Sequence, residues 1–374
     1  LAAPVAVTTV AGSPRAVPTT SGNGTGETPV EEQGQPGDVP GRRAHRTPRA
    51  DRRLRLRGVV VPAVAALVLA ACTGDDPSPD RGTAVPTDDL TDVTIGVLPV
   101  LPTAAVQLGI DEGIFAEHGF RVSLETAQGG ADLLPRVTDG ELKFALSNPL
   151  SVMQAQAADR DVRVVTGFSH ALATGEDITS VWAQQEADID GPADLEGATV
   201  AVNTRHTMGE LSINAVVAEA GGDPTTIEYV EMGFPDMPAA LERGAVDAAW
   251  APEPYQTVLR TTGAALVTYN YQETLPGVPT LVVVTSGALA DADAGLVADF
   301  AAAVDEVTAY AQEHPGLVRE TLTTFLDLDR ELLSEVVLEE FGAEPDRAAL
   351  DTLADLALEQ GMLEEPVDLD AFLP

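Results

Sequence analysis

The chain has 374 residues, which is enough for two ordinary domains with a sizeable hydrophobic core. Its formal net charge is −38, and residues 73–374 alone carry 12 basic and 54 acidic side chains. Such an acidic body repels nucleic acid and anionic lipid surfaces, so the charge excludes both classes of partner.

The first 92 residues are predicted to form three successive segments. Residues 1–51 are rich in Pro, Gly, Thr and Arg without periodicity, which is typical of a disordered leader. We interpret this leader as an artefact of start assignment and expect the true start at a non-Met codon near Leu54. Residues 52–72 combine four arginines with an apolar run, the pattern of an export signal. Residues 73–92 are a Pro/Asp/Thr linker.

The export signal ends at Cys72, the only cysteine in the chain. Leu69-Ala70-Ala71-Cys72 resembles the bacterial lipobox, which predicts a lipid anchor on Cys72 that holds the protein at the outer face of the bacterial cell membrane. The alternative is an ordinary secretory signal with an incidental cysteine, and Arg52-Arg53 leaves the twin-arginine route open beside the general one. A lone cysteine excludes a disulfide framework and a thiolate metal cluster within a monomer.

From Val93 onwards, short β-rich runs alternate with helical patterns, which indicates the α/β class. The predicted strands are Val93–Leu98, Arg121–Thr126, Lys143–Leu146, Val162–Phe168, Thr179–Gln185, Thr199–Val202, Ile227–Glu231, Ala245–Trp250, Ala265–Tyr269 and Thr280–Thr285. The predicted helices are Thr103–Glu112, Asp132–Thr138, one opening at Pro149, Gly209–Ala220, one opening at Pro252, Asp299–Gln312, one starting at Pro315, Arg330–Phe341 and Arg347–Gln360.

Polar residues follow two of the predicted strands of the first half. Ser147 and Asn148 come after Lys143–Leu146, where they could bind a ligand, or Asn148 could simply cap the helix that opens at Pro149. Ser169 and His170 come after Val162–Phe168. They do not form a nucleophile and base, because adjacent strand side chains point to opposite faces, but either could touch a ligand.

The turn Asn203–Thr207 is the strongest ligand candidate by pattern. A strand, a polar turn and a helix start provide free backbone amides and the helix dipole, which favour an anion. Within this turn Arg205 could grip a carboxylate or sulfonate in a bidentate way, while Thr204 and His206 could donate or accept. The alternative is structural, with Thr207 and Glu210 forming a capping box.

The stretch 231–255 places aromatic and polar groups at the end of another strand. Trp250 ends the predicted strand, and Glu253 and Tyr255 open the helix after it. Small ligands sit at the carboxyl ends of strands in open α/β sheets. Together with Phe234, these aromatic rings would suit a flat heterocycle, whereas Arg205 favours an oxyanion.

This stretch also resembles a known family, the nitrate/sulfonate/taurine and thiamine-precursor class of ABC-transporter substrate-binding proteins. The resemblance rests on Ala240, Leu241, Gly244, Val246, Asp247, Ala248, Glu253 and Pro254, preceded by Phe234, Asp236 and Met237. Residues 107–125 are similar to the family's first helix and following strand. Residues 194–203 resemble its "dL.Gk.vav" phrase, with Ala198 where lysine is common.

The resemblance implies a periplasmic-binding-protein fold of the type II-like kind, with two α/β lobes joined by two crossovers and a ligand cleft between them. The expected lobes are 93–185 plus 276–374, and 186–275, with crossings near Glu186–Pro192 and in a loop at Asn270–Pro279. The loops after the strands would add Pro99, Leu101 and Gly129 to the cleft, beside Asp236 and Glu253.

The function implied is capture of a small solute by hinge closure and its delivery to an ABC permease with its ATPase. The ligand would be a sulfonate-, nitrate- or taurine-like anion, slightly favoured, or a small heteroaromatic such as a pyrimidine. We expect a monomer without cofactor, metal site or catalysis. The alternatives are an enzyme on the same scaffold, of the pyrimidine-precursor-synthase or menaquinone-pathway kind, and a solute-sensing lipoprotein without a permease.

Overall fold

The computed structural model describes residues 90–373. The predicted leader, the export signal and the lipidation site Cys72 lie outside these residues. The predicted linker 73–92 overlaps them at its end, where the first strand already begins at Thr91. None of the helices within residues 90–373 combines the length and the apolar character that a membrane span requires.

Strands and helices alternate as the sequence predicts. The strands of the described part are β1 (Thr91–Val97), β2 (Phe120–Thr126), β3 (Phe144–Ser147), β4 (Val162–His170), β5 (Thr179–Ala183), β6 (Thr199–Val202), β7 (Glu228–Glu231), β8 (Ala248–Pro252), β9 (Ala265–Thr268), β10 (Pro279–Ser286) and β11 (Glu340–Phe341). Its helices are α1 (Leu101–Asp111), α2 (Ile114–Glu117), α3 (Gly130–Thr138), α4 (Pro149–Ala157), α5 (Met208–Glu219), α6 (Met237–Glu242), α7 (Tyr255–Thr261), α8 (Asn270–Thr274), α9 (Gly287–Ala292), α10 (Ala294–Glu313), α11 (Pro315–Phe325), α12 (Arg347–Glu359) and α13 (Leu369–Phe372). Short 3-10 helices are Pro192–Leu195, Pro224–Thr226, Phe234–Asp236 and Arg330–Leu332.

The strands form two sheets, and both sheets combine parallel pairs with antiparallel pairs. The first sheet has the order β11-β4-β10-β3-β1-β2, and the second has the order β7-β6-β8-β5-β9. In the first, β1 is parallel to β2 and β3, and β10 is antiparallel to β3 and β4. In the second, β6 is parallel to β7 and β8, and β5 is antiparallel to β8 and β9. The predicted α/β class with two sheets is therefore confirmed.

The pairing of β5 corrects the predicted lobe boundary. We assigned Thr179–Gln185 to the first lobe, but β5 pairs with β8 and β9 in the second sheet. The chain therefore changes sheets in residues 171–178, not near Glu186–Pro192. It returns in residues 269–278, as predicted, although this segment contains helix α8 instead of a plain loop.

The predicted helix Arg330–Phe341 is wrong. The segment has one 3-10 turn and then runs extended into β11, which pairs with the end of β4. Groups from other elements replace the helical hydrogen bonds: the Val337 N–H donates to Glu253 Oε1 (3.0 Å), and the Phe341 N–H donates to Gln312 Oε1 (2.9 Å). Tertiary contacts override local helix propensity here.

The bounds predicted for the unit at 245–255 are also wrong. The strand begins at Ala248 instead of Ala245. Asp247, just before it, belongs to the preceding turn, where its Oδ2 accepts from the Thr199 N–H at the start of β6 (2.8 Å). It continues to Pro252, which was predicted to open a helix. Proline is tolerated at the end of a strand, and helix α7 starts only at Tyr255.

Phe300 on α10 forms the centre of the core of the first sheet. Its ring lies 3.8 Å from the ring of Phe144 in a stacked arrangement and within 6 Å of Phe115 and Phe120. The predicted apolar stripe of this helix is confirmed, since Phe300, Val304, Val307 and Ala311 are all buried. Helix α10 thus fixes the sheet from one face.

We expect Phe300→Ala to lower the free energy of unfolding by about 3–5 kcal/mol, because it removes a fully buried ring from a stacked cluster. Urea denaturation measures this. The control is Leu317→Ala on α11, whose side chain is 39% exposed and whose loss should cost less than about 0.5 kcal/mol. Equal losses in the two variants would contradict the central role of Phe300.

Candidate functional site

A small cavity lies between the two sheets, where strands of both end. Leu98 and Asn148 follow β1 and β3 of the first sheet, and Asn203 follows β6 of the second. Trp250 on β8 completes this side of the cavity. The cavity thus lies at the carboxyl ends of parallel strands, where ligands bind in open α/β sheets.

The cavity volume is about 60 Å³. One water molecule needs roughly 10–15 Å³ by this measure, so a few waters fit. Typical ligand pockets measure roughly 300–1,000 Å³. The cavity as it stands is therefore too small for a ligand of ordinary size, and its walls must move to admit one.

The walls are mostly apolar and include a cluster of aromatic rings. The Trp250 ring lies 5.6 Å from the Phe234 ring and 5.8 Å from the Tyr271 ring, and both contacts are inclined. A Cβ atom on Gly209 would lie 2.6 Å from the Trp250 ring, so glycine is required there. The aliphatic and proline part of the wall is formed by Leu98, Val100, Pro102, Ile178, Met208, Pro252 and Leu281.

Two polar atoms in the cavity wall lack partners. Trp250 Nε1 and Thr179 Oγ1 are buried and have no hydrogen-bond partner among the described residues. Both side chains line the cavity. Leaving a buried polar group unpaired costs about 1–3 kcal/mol, so a bound molecule that pairs with these two atoms would remove that cost.

Glu339 brings a carboxyl group to the same wall. Its Oε2 accepts a hydrogen bond from Thr280 Oγ1 (2.7 Å), and Thr280 Oγ1 lies 2.7 Å from Ser169 Oγ. Burial raises the pKa of Glu339 to about 7, although the hydrogen bonds favour the carboxylate. Thr280 and Glu339 line the cavity, while Ser169 lies behind them.

Glu253, directly after β8 of the second sheet, forms hydrogen bonds with segments that belong to both sheets. Its Oε1 accepts from Gln256 Nε2 (2.9 Å), Thr257 Oγ1 (3.0 Å) and the Val337 N–H (3.0 Å). Its backbone carbonyl accepts from the Leu101 N–H (3.0 Å). Burial raises its pKa to about 7, against the effect of these hydrogen bonds on the carboxylate.

Further hydrogen bonds join segments that follow strands of the two sheets. Gln128 Nε2 donates to the Asn203 carbonyl (2.8 Å), and Asn203 Nδ2 donates to the Gln128 carbonyl (3.2 Å). Tyr255 Oη donates to the Pro99 carbonyl (2.8 Å). These hydrogen bonds join segments that follow strands of different sheets.

The turn Asn203–Thr207 differs from its prediction. The Arg205 Nε donates to Glu210 Oε2 (3.3 Å), and the guanidinium lies over the Tyr229 ring. The capping box is not formed, because Thr207 Oγ1 donates to the Thr204 carbonyl (3.0 Å) and Glu210 accepts from the His206 N–H (2.9 Å). Arg205 is thus held outside the cavity.

A larger groove of about 660 Å³ includes Arg205, but it is a weaker candidate site. Its polar side chains already pair with one another: Tyr229 Oη donates to Asn214 Oδ1 (2.7 Å), and Asn214 Nδ2 donates to Gln360 Oε1 (3.1 Å). Paired groups on an open surface leave little for a ligand to gain.

The predicted site residues fall into three groups. Those that line the cavity are Asn148, Asn203, Thr207, Phe234 and Trp250. Those that form or adjoin the contacts between the lobes are Pro99, Leu101, Gly129, Thr204, Glu253 and Tyr255. Those that do not line it are Ser147, Ser169, His170, Arg205, His206 and Asp236.

Three of the predicted residues have contacts within the protein. Asn148, in the cavity wall, caps α4: its Oδ1 accepts from the Ser151 N–H (2.9 Å), so the capping alternative is confirmed. Outside the cavity, Ser169 Oγ contacts Thr280 and not its neighbour His170. His170 is partly buried, and burial lowers the pKa of its imidazole.

Sequence reasoning missed Thr179, Tyr271 and Glu339. Thr179 begins a strand that was assigned to the wrong lobe, and Tyr271 lies in helix α8, which was predicted as a loop. Glu339 lies in the segment wrongly predicted as helical. The predicted central strand that begins at Thr280 could have indicated this part of the cavity. Because β10 is antiparallel to β3, its first residues lie beside the carboxyl end of β3.

Comparison with solved structures defines the class of fold. The structure matches the alkanesulfonate-binding protein SsuA from Xanthomonas axonopodis pv. citri bound to MOPS, with a TM-score of 0.65, 17% identity and coverage of 76% of this chain and 98% of that one. It also matches the Candida albicans CA3427 gene product, with a TM-score of 0.59, 16% identity and coverage of 76% and 96%. The Candida albicans protein is described as having the generic periplasmic binding protein structural fold. The chain has this fold, as predicted.

Sequence comparison then gives the family. The NMT1/THI5 like family model matches residues 103–317, more than half of the chain, so the chain belongs to this family. A relative from Brachyspira hyodysenteriae, by its name a proposed ABC transporter periplasmic binding protein, is 23% identical over 237 residues. The match covers 60% of this chain and 66% of that relative's length.

We expect the free energy of unfolding of the ligand-free protein to fall as the pH rises from about 4.5 to about 7. In this window folded Glu253 keeps its proton while the unfolded chain has released it, so each rise in pH favours the unfolded state. Below the window both states are protonated, and above it both are ionised. Glu253→Gln should reduce the slope in urea denaturation series across pH.

The control for this series is Glu365→Gln, which changes an exposed carboxylate and should keep the wild-type slope. A Glu253→Gln protein with the same pH slope as the wild type would show that Glu253 does not hold its proton in the folded state.

Proposed function

We propose that this chain is the extracytoplasmic substrate-binding component of an ABC importer. It captures a small solute in the cavity between its lobes and presents it to a permease with its ATPase. The observation that carries the proposal is the cavity at the strand ends, whose lining residues Trp250 and Thr179 have side-chain atoms, Nε1 and Oγ1, without a partner among residues 90–373. Family membership and the name of the Brachyspira relative support the same role.

Capture proceeds by hinge closure. We assign residues 90–170 and 279–373 to one lobe and 179–268 to the other, following the two sheets. The reciprocal pair between Gln128 and Asn203 and the bond from Tyr255 to Pro99 open when the lobes part, which admits the ligand. Closure around the ligand re-forms them, so the ligand shifts the population towards the closed state.

A small flat heteroaromatic is the better of the two ligand classes. Phe234, Trp250 and Tyr271 present aromatic surface to the cavity, which suits a planar ring. The expectation of an anion depended on Arg205, whose guanidinium is bound to Glu210 outside the cavity. We therefore reverse the slight preference for an anion.

An enzyme on the same scaffold has less support. Ser169 and His170 were not expected to form a nucleophile and base, and Ser169 Oγ contacts Thr280 Oγ1 (2.7 Å).

We also propose that a lipid anchor on Cys72 holds the protein at the outer face of the bacterial cell membrane, and that the protein is a monomer. A solute-sensing lipoprotein without a permease is the other alternative. It would use the same cavity, and its genomic neighbourhood would lack transporter genes.

The first experiment is native mass spectrometry of the purified chain in mild detergent, followed by a thermal-shift screen. The panel contains cytosine, 4-aminopyrimidine, pyrimidine, methanesulfonate, taurine and nitrate. A compound at a hundred times its Kd stabilises the folded state by about 2.7 kcal/mol, so we expect a saturable rise in Tm for at least one of them. The absence of both a co-purified small molecule and any shift across the panel would contradict a solute receptor.

Gly129 provides a test of closure. A Cβ atom there would lie 2.5 Å from Thr204 Oγ1 on the other lobe. Because its backbone is extended (φ −148°), Gly129→Val adds bulk without backbone strain. We expect calorimetry to show at least about a tenfold loss of affinity for the hit compound, since closure then costs more than about 1.4 kcal/mol.

The matched control is Gly191→Val. Gly191 is also extended (φ −164°) and precedes a helix, but no atom lies within 4 Å of its Cβ position. It should bind like the wild type. Unchanged affinity in Gly129→Val would show that binding does not require this closure.

A further inference from the structure

A short segment of the first lobe reaches across to the second lobe. This segment, residues 335–339, leads into β11, and we call it the latch segment. Arg319 of α11 donates to the Val336 carbonyl from Nε (3.2 Å) and from Nη2 (3.1 Å). Thr280 Oγ1 of β10 donates to Glu339 Oε2 (2.7 Å). These bonds hold the latch segment to the lobe to which its chain belongs.

Two further hydrogen bonds attach the latch segment to the second lobe. Arg260 of α7 donates to the Glu335 carbonyl. The Val337 N–H donates to Oε1 of Glu253, which lies directly after β8 (3.0 Å). The latch segment is therefore a non-covalent connection between the lobes, in addition to the two covalent crossings.

Gln256 links this connection to the first crossing. Its Nε2 donates to Glu253 Oε1 (2.9 Å) and to the carbonyl of Asp177, which lies in that crossing (2.8 Å). The Asp177 side chain holds the crossing itself, since its Oδ1 accepts from the N–H groups of Leu172 (2.9 Å) and Ile178 (2.8 Å). One set of hydrogen bonds thus joins the first crossing, the end of β8 and the latch segment.

Asp177, Glu253 and Glu339 are three buried carboxyls within this set. Each is at most 5% exposed. Asp177 Oδ2 and Glu253 Oε2 have no hydrogen-bond partner among the described residues, an arrangement that favours the neutral form of a buried carboxyl. Burial raises the pKa of Asp177 to about 6 and the pKa of Glu253 to about 7. Burial and the charges of the other two carboxyls raise the pKa of Glu339 to about 7.

The groups that face this cluster from α7 and the crossings offer little compensation for three negative charges. Arg260 favours ionised Glu253, but its side chain is partly exposed and also pairs with Glu176 of the first crossing (3.2 Å). At the return crossing, burial raises the pKa of Tyr269 and of Tyr271, so both phenols stay neutral around neutral pH. Ionisation of the cluster therefore remains unfavourable while it is buried.

The first lobe adds one titratable pair beside Glu339. His170 at the end of β4 pairs with Glu340 in the register of β11. Burial lowers the pKa of His170, against the charges of Glu340 and Asp346. A neutral imidazole gives no positive charge to Glu339, while Glu340 contributes a negative one.

We propose that the latch segment is a pH-sensitive device that controls parting of the lobes. While Asp177, Glu253 and Glu339 are neutral, their hydrogen bonds hold the latch segment against the second lobe. When they ionise, mutual repulsion favours release, because water then reaches the carboxylates. This rests on the lobe motion of the proposed function, and it implies that a captured solute is held more tightly at acidic than at alkaline pH.

The direction of the pH effect follows from proton linkage. The latched conformation has raised pKa values, so it binds protons more tightly than a released conformation in which water reaches the same carboxyls. Below about pH 4 both conformations are protonated, and above about pH 7 both are ionised. Between these limits each rise in pH favours release, by up to about tenfold for each unit by which a pKa differs between the conformations.

Hydrogen exchange of the ligand-free chain tests the latch, with mass spectrometry as the readout from about pH 5 to about pH 8. Dividing the intrinsic exchange rate at each pH by the observed rate gives a protection factor for a peptide that covers the latch segment. We expect this protection factor to fall at least about tenfold across the range.

Helix α10 provides the internal reference. Its buried core exchanges through global unfolding, whereas release of the latch segment exposes little surface. Low concentrations of urea should therefore accelerate exchange in α10 and leave the exchange of the latch segment unchanged. The latch segment should also be less protected than α10 at every pH.

Three substitutions locate the titrating groups. Asp177→Asn, Glu253→Gln and Glu339→Gln each replace a carboxyl with a neutral amide of similar shape, and each should reduce the pH dependence of the protection factor. The amide oxygen in Glu253→Gln can still accept the hydrogen bond of the latch, so this protein should stay latched at alkaline pH. The controls are Glu331→Gln, an exposed carboxylate before the latch segment, and His170→Asn, which removes the nearby imidazole. Both should keep the wild-type pH dependence.

The results expected here differ from those of a segment that only stabilises the fold. A latch segment that exchanges only together with α10, or whose protection factor is independent of pH, would overturn the proposal. An undiminished pH dependence in folded proteins with all three substitutions would do the same. The wild-type series decides even if a substitution disturbs folding. Because no solute is added, failure of the latch leaves the solute-binding function standing, and failure of the compound panel leaves the exchange result unaffected.

Discussion

The hydrogen bonds of Glu253 connect the second sheet to two segments of the first lobe. Its backbone carbonyl accepts from Leu101 at the start of α1, and its carboxyl accepts from the Val337 N–H on the segment that leads to β11. Gln256 and Thr257 hold the same carboxyl from α7. A single residue directly after β8 thus holds two segments of the opposite lobe, one through its backbone carbonyl and one through its side chain. The segment anchored at Val337 is the one that carries Glu339 into the cavity, so the shape of the site depends on this buried carboxyl.

Local pattern was sufficient for much of the fold. Parallel strands such as Thr199–Val202 are short apolar runs followed by polar turns, and helix α10 shows its buried face through the spacing of Phe300, Val304 and Val307. The carboxyl ends of such strands predict the position of a cleft, which is why Asn148, Asn203 and Trp250 were found from sequence.

The rest depended on contacts between residues far apart in the chain. The strand β5 looks like any other apolar run, and only its pairing with β8 and β9 assigns it to the second sheet. The segment before β11 has helical spacing, but its backbone groups bond to Glu253 and Gln312 instead. Arg205 follows a strand as a ligand-binding arginine would, yet Glu210 on the next helix takes its guanidinium. Each error reflects a long-range partner that periodicity does not encode.

The unpaired atoms of the cavity bear on the proposed hinge closure. Trp250 Nε1 and Thr179 Oγ1 lack partners among the described residues, and each unpaired buried group costs about 1–3 kcal/mol. If the lobes part as we propose, water would reach both atoms and remove this cost. A ligand that supplies the missing partners would remove the cost with the lobes together. Such a ligand would bind this conformation more tightly than an open one, which is the differential affinity that a ligand-driven conformational change requires. The aromatic rings around the cavity would add to this difference, because parting the lobes would expose their surface to water.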